Sequence, residues 1–210
     1  MTDPALSAVL WDMDGTIIDS EPLWIEAETE MLDHYGIAMS EATHRMLIGS
    51  GLTAAAELFR ELGVPLTVDE ILAEWEHRVG LGMLEAGVLW RPGARELLAS
   101  LGAAGIPCAL VTMSTRPLAD RVVEMLPAGT FSASVTGDEV EHEKPHPEPY
   151  LRGAEALGVP IERCLVIEDS PTGLRSAVAS GAVSIGVPNL VDLDPSAADE
   201  LWPTLDGLGA

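Results

Sequence analysis

The stretch Ala8-Val9-Leu10-Trp11-Asp12-Met13-Asp14-Gly15-Thr16 decides the fold. Four apolar residues run without interruption and end on two acids and a glycine. A continuous apolar run this short suits a strand covered on both faces, as in a parallel sheet. Asp12 and Asp14 stand at i, i+2, so an extended segment points both to one side. Gly15 then lets the backbone turn sharply and approach a ligand closely.

The same pattern recurs along the chain. Residues 107–111, 164–167 and 182–187 are apolar runs, each followed by polar residues, and 133–136 is a weaker strand candidate. Helical patterns at 95–104, 117–125, 147–157 and 172–180 separate them. Strands alternating with helices predict an α/β fold, a doubly wound parallel sheet.

The interval from about residue 21 to 90 has no convincing strand. It reads as helices over 22–35, 40–48, 53–62 and 68–85. In the first, Leu23, Ala27, Met31 and Tyr35 form the apolar stripe expected to be buried. The expected organisation is a core of residues 1–20 and 91–210 with an all-helical insert at 21–90. An insert of that length is a lid rather than a loop.

Composition narrows the function. The 210 residues include 34 acids against 11 bases, a net charge of −23, so nucleic acid and anionic lipid are excluded as partners. The longest stretch without a polar side chain, 101–111, is 11 residues, against about 18 for a membrane-spanning helix. No Lys or Arg precedes the first apolar run, so the start does not read as a secretory signal. The expectation is a cytoplasmic monomer. Cys108 and Cys164 lie in apolar runs and read as core residues. Glu141-His142-Glu143, one imidazole between two acids, reads as a solvated loop.

In a parallel α/β sheet, ligands bind outside the carboxyl ends of the strands. There the sequence places Asp12 and Asp14, then Thr112-Met113-Ser114-Thr115, then Glu168-Asp169-Ser170. Asp12, Asp14, Glu168 and Asp169 would repel one another at one rim unless cations sat among them. A divalent ion and one ammonium would leave a single net negative charge. Carboxylate ligands suit Mg²⁺. Lys144, in Lys144-Pro145-His146-Pro147, is the only lysine in a chain that otherwise uses arginine. A compact ammonium is not interchangeable with a guanidinium at a tight anion site.

This constellation resembles the haloacid dehalogenase superfamily of phosphotransferases. Asp12-Met13-Asp14-Gly15-Thr16 is similar to its first motif, Thr112 to its second, Lys144-Pro145 to its third and Glu168-Asp169-Ser170 to its fourth. The resemblance covers nearly the whole chain and implies a Rossmann-like core with a helical cap. It implies that Asp12 is the nucleophile and Asp14 the general acid and base. Asp12, the Asp14 carbonyl, Asp169 and Glu168 would hold Mg²⁺. Thr112, Met113 and Ser114 would cradle phosphate, and Lys144 would neutralise it.

Within that family, dehalogenases lack the second acid of the first motif, whereas Asp14 is present. Phosphonatases use a cap lysine, and the insert has none. Sugar phosphomutases carry a His near the position of Trp24. The expectation is therefore a phosphatase of a small phosphorylated metabolite, a sugar phosphate, with a mutase as the alternative. A catalytically idle module that binds a phosphorylated ligand is the alternative outside enzymes. Glu21, Trp24, Ser50 and Arg78 are the candidates for substrate specificity.

Overall fold

The computed structural model describes residues 6–47 and 52–210. The apolar runs form strands β1 (Ala8–Trp11), β2 (Cys108–Val111), β3 (Ala133–Val135), β4 (Cys164–Glu168) and β5 (Val183–Gly186), joined by a short β6 (Glu200–Leu201). All pair in parallel, in the order β3-β2-β1-β4-β5-β6. This is the doubly wound, Rossmann-like order. Every residue of β1 and β2 is buried, which explains why neither alternates polar and apolar side chains.

β1 is the point where the order reverses, with β2 on one side and β4 on the other. Trp11 is level with Leu110 of β2 and with Ile167 of β4. The residues just beyond these partners, Asp12, Val111 and Glu168, therefore come together at one end of the sheet. Helices α5 (Ala94–Ala103), α6 (Arg116–Glu124), α7 (Glu148–Leu157) and α8 (Pro171–Ser180) connect the later strands. (The insert's four helices take α1–α4 below.) Tyr150 and Ala154 of α7 pack into the core with Leu10, Val111 and Val166. Gly153 makes this approach possible, since a Cβ there would lie 2.8 Å from Val111 Cγ2.

The sequence tail beyond 188 gave no expectation of β6. Its two residues pair with Ile185 and Gly186, and neither is buried. The pairing is reinforced by Asp199, whose carboxylate accepts from the Ser184 N–H and hydroxyl at 2.8 Å each. That contact is long-range and leaves no local pattern.

Two compact units result, Met1–Asp19 with Leu89–Ala210, and Ser20–Val88. The second unit contains α1 (Glu21–His34), α2 (Glu41–Leu47), α3 (Leu52–Leu62) and α4 (Val68–Ala86). Its interior includes Phe59 set edge-on to Trp75, with ring centroids 4.6 Å apart. Thr67 and Glu70 form a reciprocal cap at the start of α4. The buried face of α1 is Trp24, Ala27, Glu28, Met31 and Leu32, not the expected stripe through Leu23 and Tyr35. The helix turns so that Trp24 and Leu32 go inward while Leu23 and Tyr35 stay half-buried, and Glu28 is carried in with them. Among the described residues, no helix is long and apolar enough to cross a membrane.

Candidate active site

Asp12 continues the β1 ladder, its N–H donating to Ile167 O at 3.0 Å. Its side chain is buried, and its two oxygens differ. Oδ1 accepts from Lys144 Nζ at 2.7 Å, whereas Oδ2 is buried with no hydrogen-bond partner. Burial, then the charge of Glu168, pushes the Asp12 carboxyl up to about 7, against the opposing pull of Lys144.

Lys144 is the hub. Its ammonium donates to Asp12 Oδ1, to Glu168 Oε1 at 2.8 Å and to Val111 O at 3.0 Å, which uses all three protons. It also stands 4.8 Å from the centroid of the Tyr150 ring. Burial favours loss of its proton, but the carboxylates of Asp12 and Glu168 outweigh burial and hold its pKa above the ordinary lysine range.

Glu168 is fully engaged. Oε1 accepts from Lys144 and from the Tyr150 hydroxyl, both at 2.8 Å. Oε2 accepts from Asp169 N, Ser170 N and Ser170 Oγ at 3.0–3.1 Å. Gly173 in the first turn of α8 is needed here, because a Cβ would overlap the Glu168 carboxylate. Ser170 also caps α8, accepting from Gly173 N at 3.0 Å.

Asp169 lies close to Asp12 and Glu168, with one oxygen of each within 4.8 Å of the others. Burial and then the Asp12 and Glu168 charges raise its carboxyl well above the ordinary range. Thr16 Oγ1 approaches it to 3.5 Å. Gly15 adopts φ +85°, and a Cβ there would fall on the Asp169 carboxylate. The glycine is thus required both by the turn and by the close approach.

Asp14 turns toward β2. Its Oδ2 accepts from Ser114 Oγ at 2.7 Å and Thr112 Oγ1 at 3.2 Å. Thr112 Oγ1 in turn accepts from Ser114 N at 3.0 Å. The two hydroxyls expected to face phosphate therefore face the second acid in this structure. Met113 is half-buried, its sulfur 3.4 Å from Lys144 N. Thr115 stands at the N-cap position of α6 without a side-chain capping bond, and its hydroxyl is buried without a partner.

The structure thus gathers Asp12, Asp14, Thr112, Ser114, Lys144, Glu168 and Asp169 at one end of the sheet. Glu21 and Trp24 both lie on α1, the latter buried. Arg78 pairs with Glu30 of α1 and with Glu74 at 2.8 Å. Ser50 lies outside the described residues. Sequence reasoning missed Tyr150, whose only signal was its place six residues after Lys144, and the buried Glu28.

The family model for haloacid dehalogenase-like hydrolases matches residues 9–187. The chain belongs to this family. The match contains all four polar clusters and the helical insert between the first two. Hexitol phosphatase A of Escherichia coli is 33% identical over 179 residues, covering 85% of this chain and 81% of the relative. Phosphorylated carbohydrates phosphatase of Thermotoga maritima is 32% identical over 181 residues, covering 84% and 82%. Among solved structures, Rhodobacter sphaeroides CbbY in complex with xylulose-(1,5)bisphosphate superposes with a TM-score of 0.87 at 28% identity, covering 97% of this chain and 96% of that one.

The carboxylates fit a divalent cation. Asp12 and Asp169 bring carboxylate oxygens within 4.8 Å of each other, and burial first, then mutual repulsion, raises both carboxyls against the pull of one ammonium. Oxygen donors of this kind suit Mg²⁺.

Proposed function

We propose that this protein is a Mg²⁺-dependent phosphatase that hydrolyses a small phosphorylated metabolite, a sugar phosphate, through a phosphorylated Asp12. The observation that carries the reading is the asymmetry of Asp12. Lys144 pins Oδ1 at 2.7 Å, and Oδ2 is left buried, unpartnered and free to attack. The names of the two carbohydrate-phosphate phosphatases among its relatives support the substrate class.

In the first half-reaction, Asp12 Oδ2 forms a bond to phosphorus as the ester P–O bond breaks. Asp14 donates a proton to the departing oxygen, so the alcohol leaves neutral. In the second half-reaction, Asp14 takes a proton from water as that water attacks phosphorus. The Asp12–phosphorus bond breaks and inorganic phosphate leaves. Lys144, its three protons already donated, orients Asp12 throughout and places its positive charge beside the phosphoryl group. Asp12, Asp169 and the Asp14 carbonyl would hold Mg²⁺, which supplies charge neutralisation at the phosphoryl group. Glu168, with all its donors in place, anchors Lys144 rather than offering a free oxygen. Ser114 and Thr112 steady Asp14. The choice of leaving group is assigned to the inserted helices, Glu21 and Trp24 first.

The test is phosphate release over a panel of phosphorylated sugars, sugar alcohols, glycolate and nucleotides, with and without EDTA. The reading predicts release from a carbohydrate phosphate, stopped by EDTA and restored by Mg²⁺. Metal-independent release, an isomerised sugar phosphate without free phosphate, or binding without turnover would each overturn it.

A further inference from the structure

Outside the acidic rim, a second cluster of ligating side chains forms on the surface segment before α7. We infer that His142, His146 and Glu148 make a cation site for a borderline transition-metal ion of the Zn²⁺, Co²⁺ or Ni²⁺ class. One ligand atom of each residue lies within 4.8 Å of the other two. The two imidazoles stack with centroids 4.5 Å apart and planes 29° from parallel. From the sequence, His142 had only acids beside it. The fold brings a second imidazole and a third carboxylate to it, because the chain turns at His146, whose N–H donates to Glu143 O at 2.9 Å.

Glu148 organises the cluster. Its Oε2 accepts from His142 N and faces His142 Nδ1, both at 2.9 Å. Its Oε1 accepts from Glu141 N at 2.9 Å and pairs with Arg152 at 2.6 Å. Those donors fix the carboxylate in place beside the imidazole. An ion entering between Glu148 Oε2 and His142 Nδ1 would take both as ligand atoms in place of the contact between them. His146 Nδ1 receives the Glu148 N–H at 3.2 Å, a long bond that a metal can replace.

The donor set decides the class of ion. Imidazole nitrogens favour Zn²⁺, Co²⁺ and Ni²⁺, whereas Mg²⁺ demands oxygen. Tetrahedral donors with bonds of 2.0–2.1 Å stand roughly 3.4 Å apart, so the 2.9 Å spacing of Glu148 Oε2 and His142 Nδ1 must open by about half an ångström. The His142 side chain is 56% exposed, so it can move without unpacking the core. Water completes the coordination on the open side. His142 and His146 flank Lys144-Pro145, so a bound ion ties together both ends of the segment that presents the ammonium.

The test is titration of the protein with Co²⁺ in saturating Mg²⁺, read by the ligand-field absorption of bound Co²⁺. The wild type and Asp169→Asn should bind one Co²⁺ with similar affinity, since Asp169 belongs to the other site. His142→Ala/His146→Ala should bind at least about tenfold more weakly, with an unchanged thermal transition. If that double variant unfolds, the single variants His142→Gln and His146→Gln should each show the same weakening. Hydrogen exchange of amides 141–148 should slow on loading in the wild type alone. Undiminished Co²⁺ binding without the imidazoles, loss of Co²⁺ in Asp169→Asn, or no Co²⁺ bound in excess Mg²⁺ would overturn the proposal.

Discussion

Replacing Lys144 by Met keeps the stem and deletes the ammonium. Three hydrogen bonds vanish, to Asp12, Glu168 and Val111 O, together with the cation beside Tyr150. Asp12 and Glu168 remain buried without their counter-charge. Removing one member of a buried ion pair costs about 3–5 kcal/mol. The loss should depend on pH, and the sign follows from the two pKa shifts. Lys144 is raised above its free value of 10.5, so its contribution is complete below that pH and is lost only far into alkali. Asp12 is raised from 3.8 to about 7, so its ionisation weakens the fold progressively across that interval. Without Lys144 the Asp12 value climbs further and the weakening grows. Urea denaturation in EDTA should show a loss of about 3–5 kcal/mol near pH 8 and a clearly smaller one near pH 5. In a chain of this size that is a fall in Tm of about 6–20 °C at the higher pH. Mg²⁺ should widen the gap in phosphate release, about 10²–10³-fold below wild type, rather than rescue it. An equal stability loss at both pH values, or none near pH 8, would refute the electrostatic account of the site.

Three further outcomes follow from single side chains. Glu28 is buried on α1 and its carboxyl is pushed from 4.5 to about 7, by burial first and Glu21 second. Its ionised form therefore opposes folding between those pH values, by about 3 kcal/mol at full ionisation. Glu28→Gln should raise stability near pH 8 and leave it unchanged near pH 4, as urea denaturation would read; a gain at low pH instead would contradict the burial argument. Tyr150→Phe keeps the ring over Lys144 but removes the bond to Glu168 Oε1, so stability should fall by about 1–3 kcal/mol in the same assay. Ser114→Ala removes the 2.7 Å bond to Asp14 and should lower kcat about tenfold or more with KM little changed. A change in KM alone would place Ser114 on substrate instead.

The parallel core was legible because its strands are short and doubly buried, and because polar residues follow each one at the same end of the sheet. Asp12, Lys144 and Glu168 could be grouped on charge alone, since four acids at one rim require compensation. Which oxygen bonds to which donor could not be read. That Glu168 is saturated and Asp12 Oδ2 bare depends on Tyr150 and Ser170, whose contacts are set by packing. Thr112 and Ser114 were legible as hydroxyls beyond β2, but their turn toward Asp14 was not. β6 was invisible because a two-residue edge pair has no period. The α1 face was misjudged because i, i+4 spacing allows several neighbouring stripes, and packing selected the one with Trp24. His142 with His146 was missed because the turn between them, not their spacing, stacks the rings.

The most direct measurement is to quench the enzyme during turnover of a carbohydrate phosphate and locate phosphate on the chain by peptide mass spectrometry. The account predicts an acid-stable, hydroxylamine-labile phosphoryl group on the peptide containing Asp12, absent in Asp12→Asn. Phosphate release by Asp12→Asn at the wild-type rate, or a phosphoryl group carried by another residue, would contradict it.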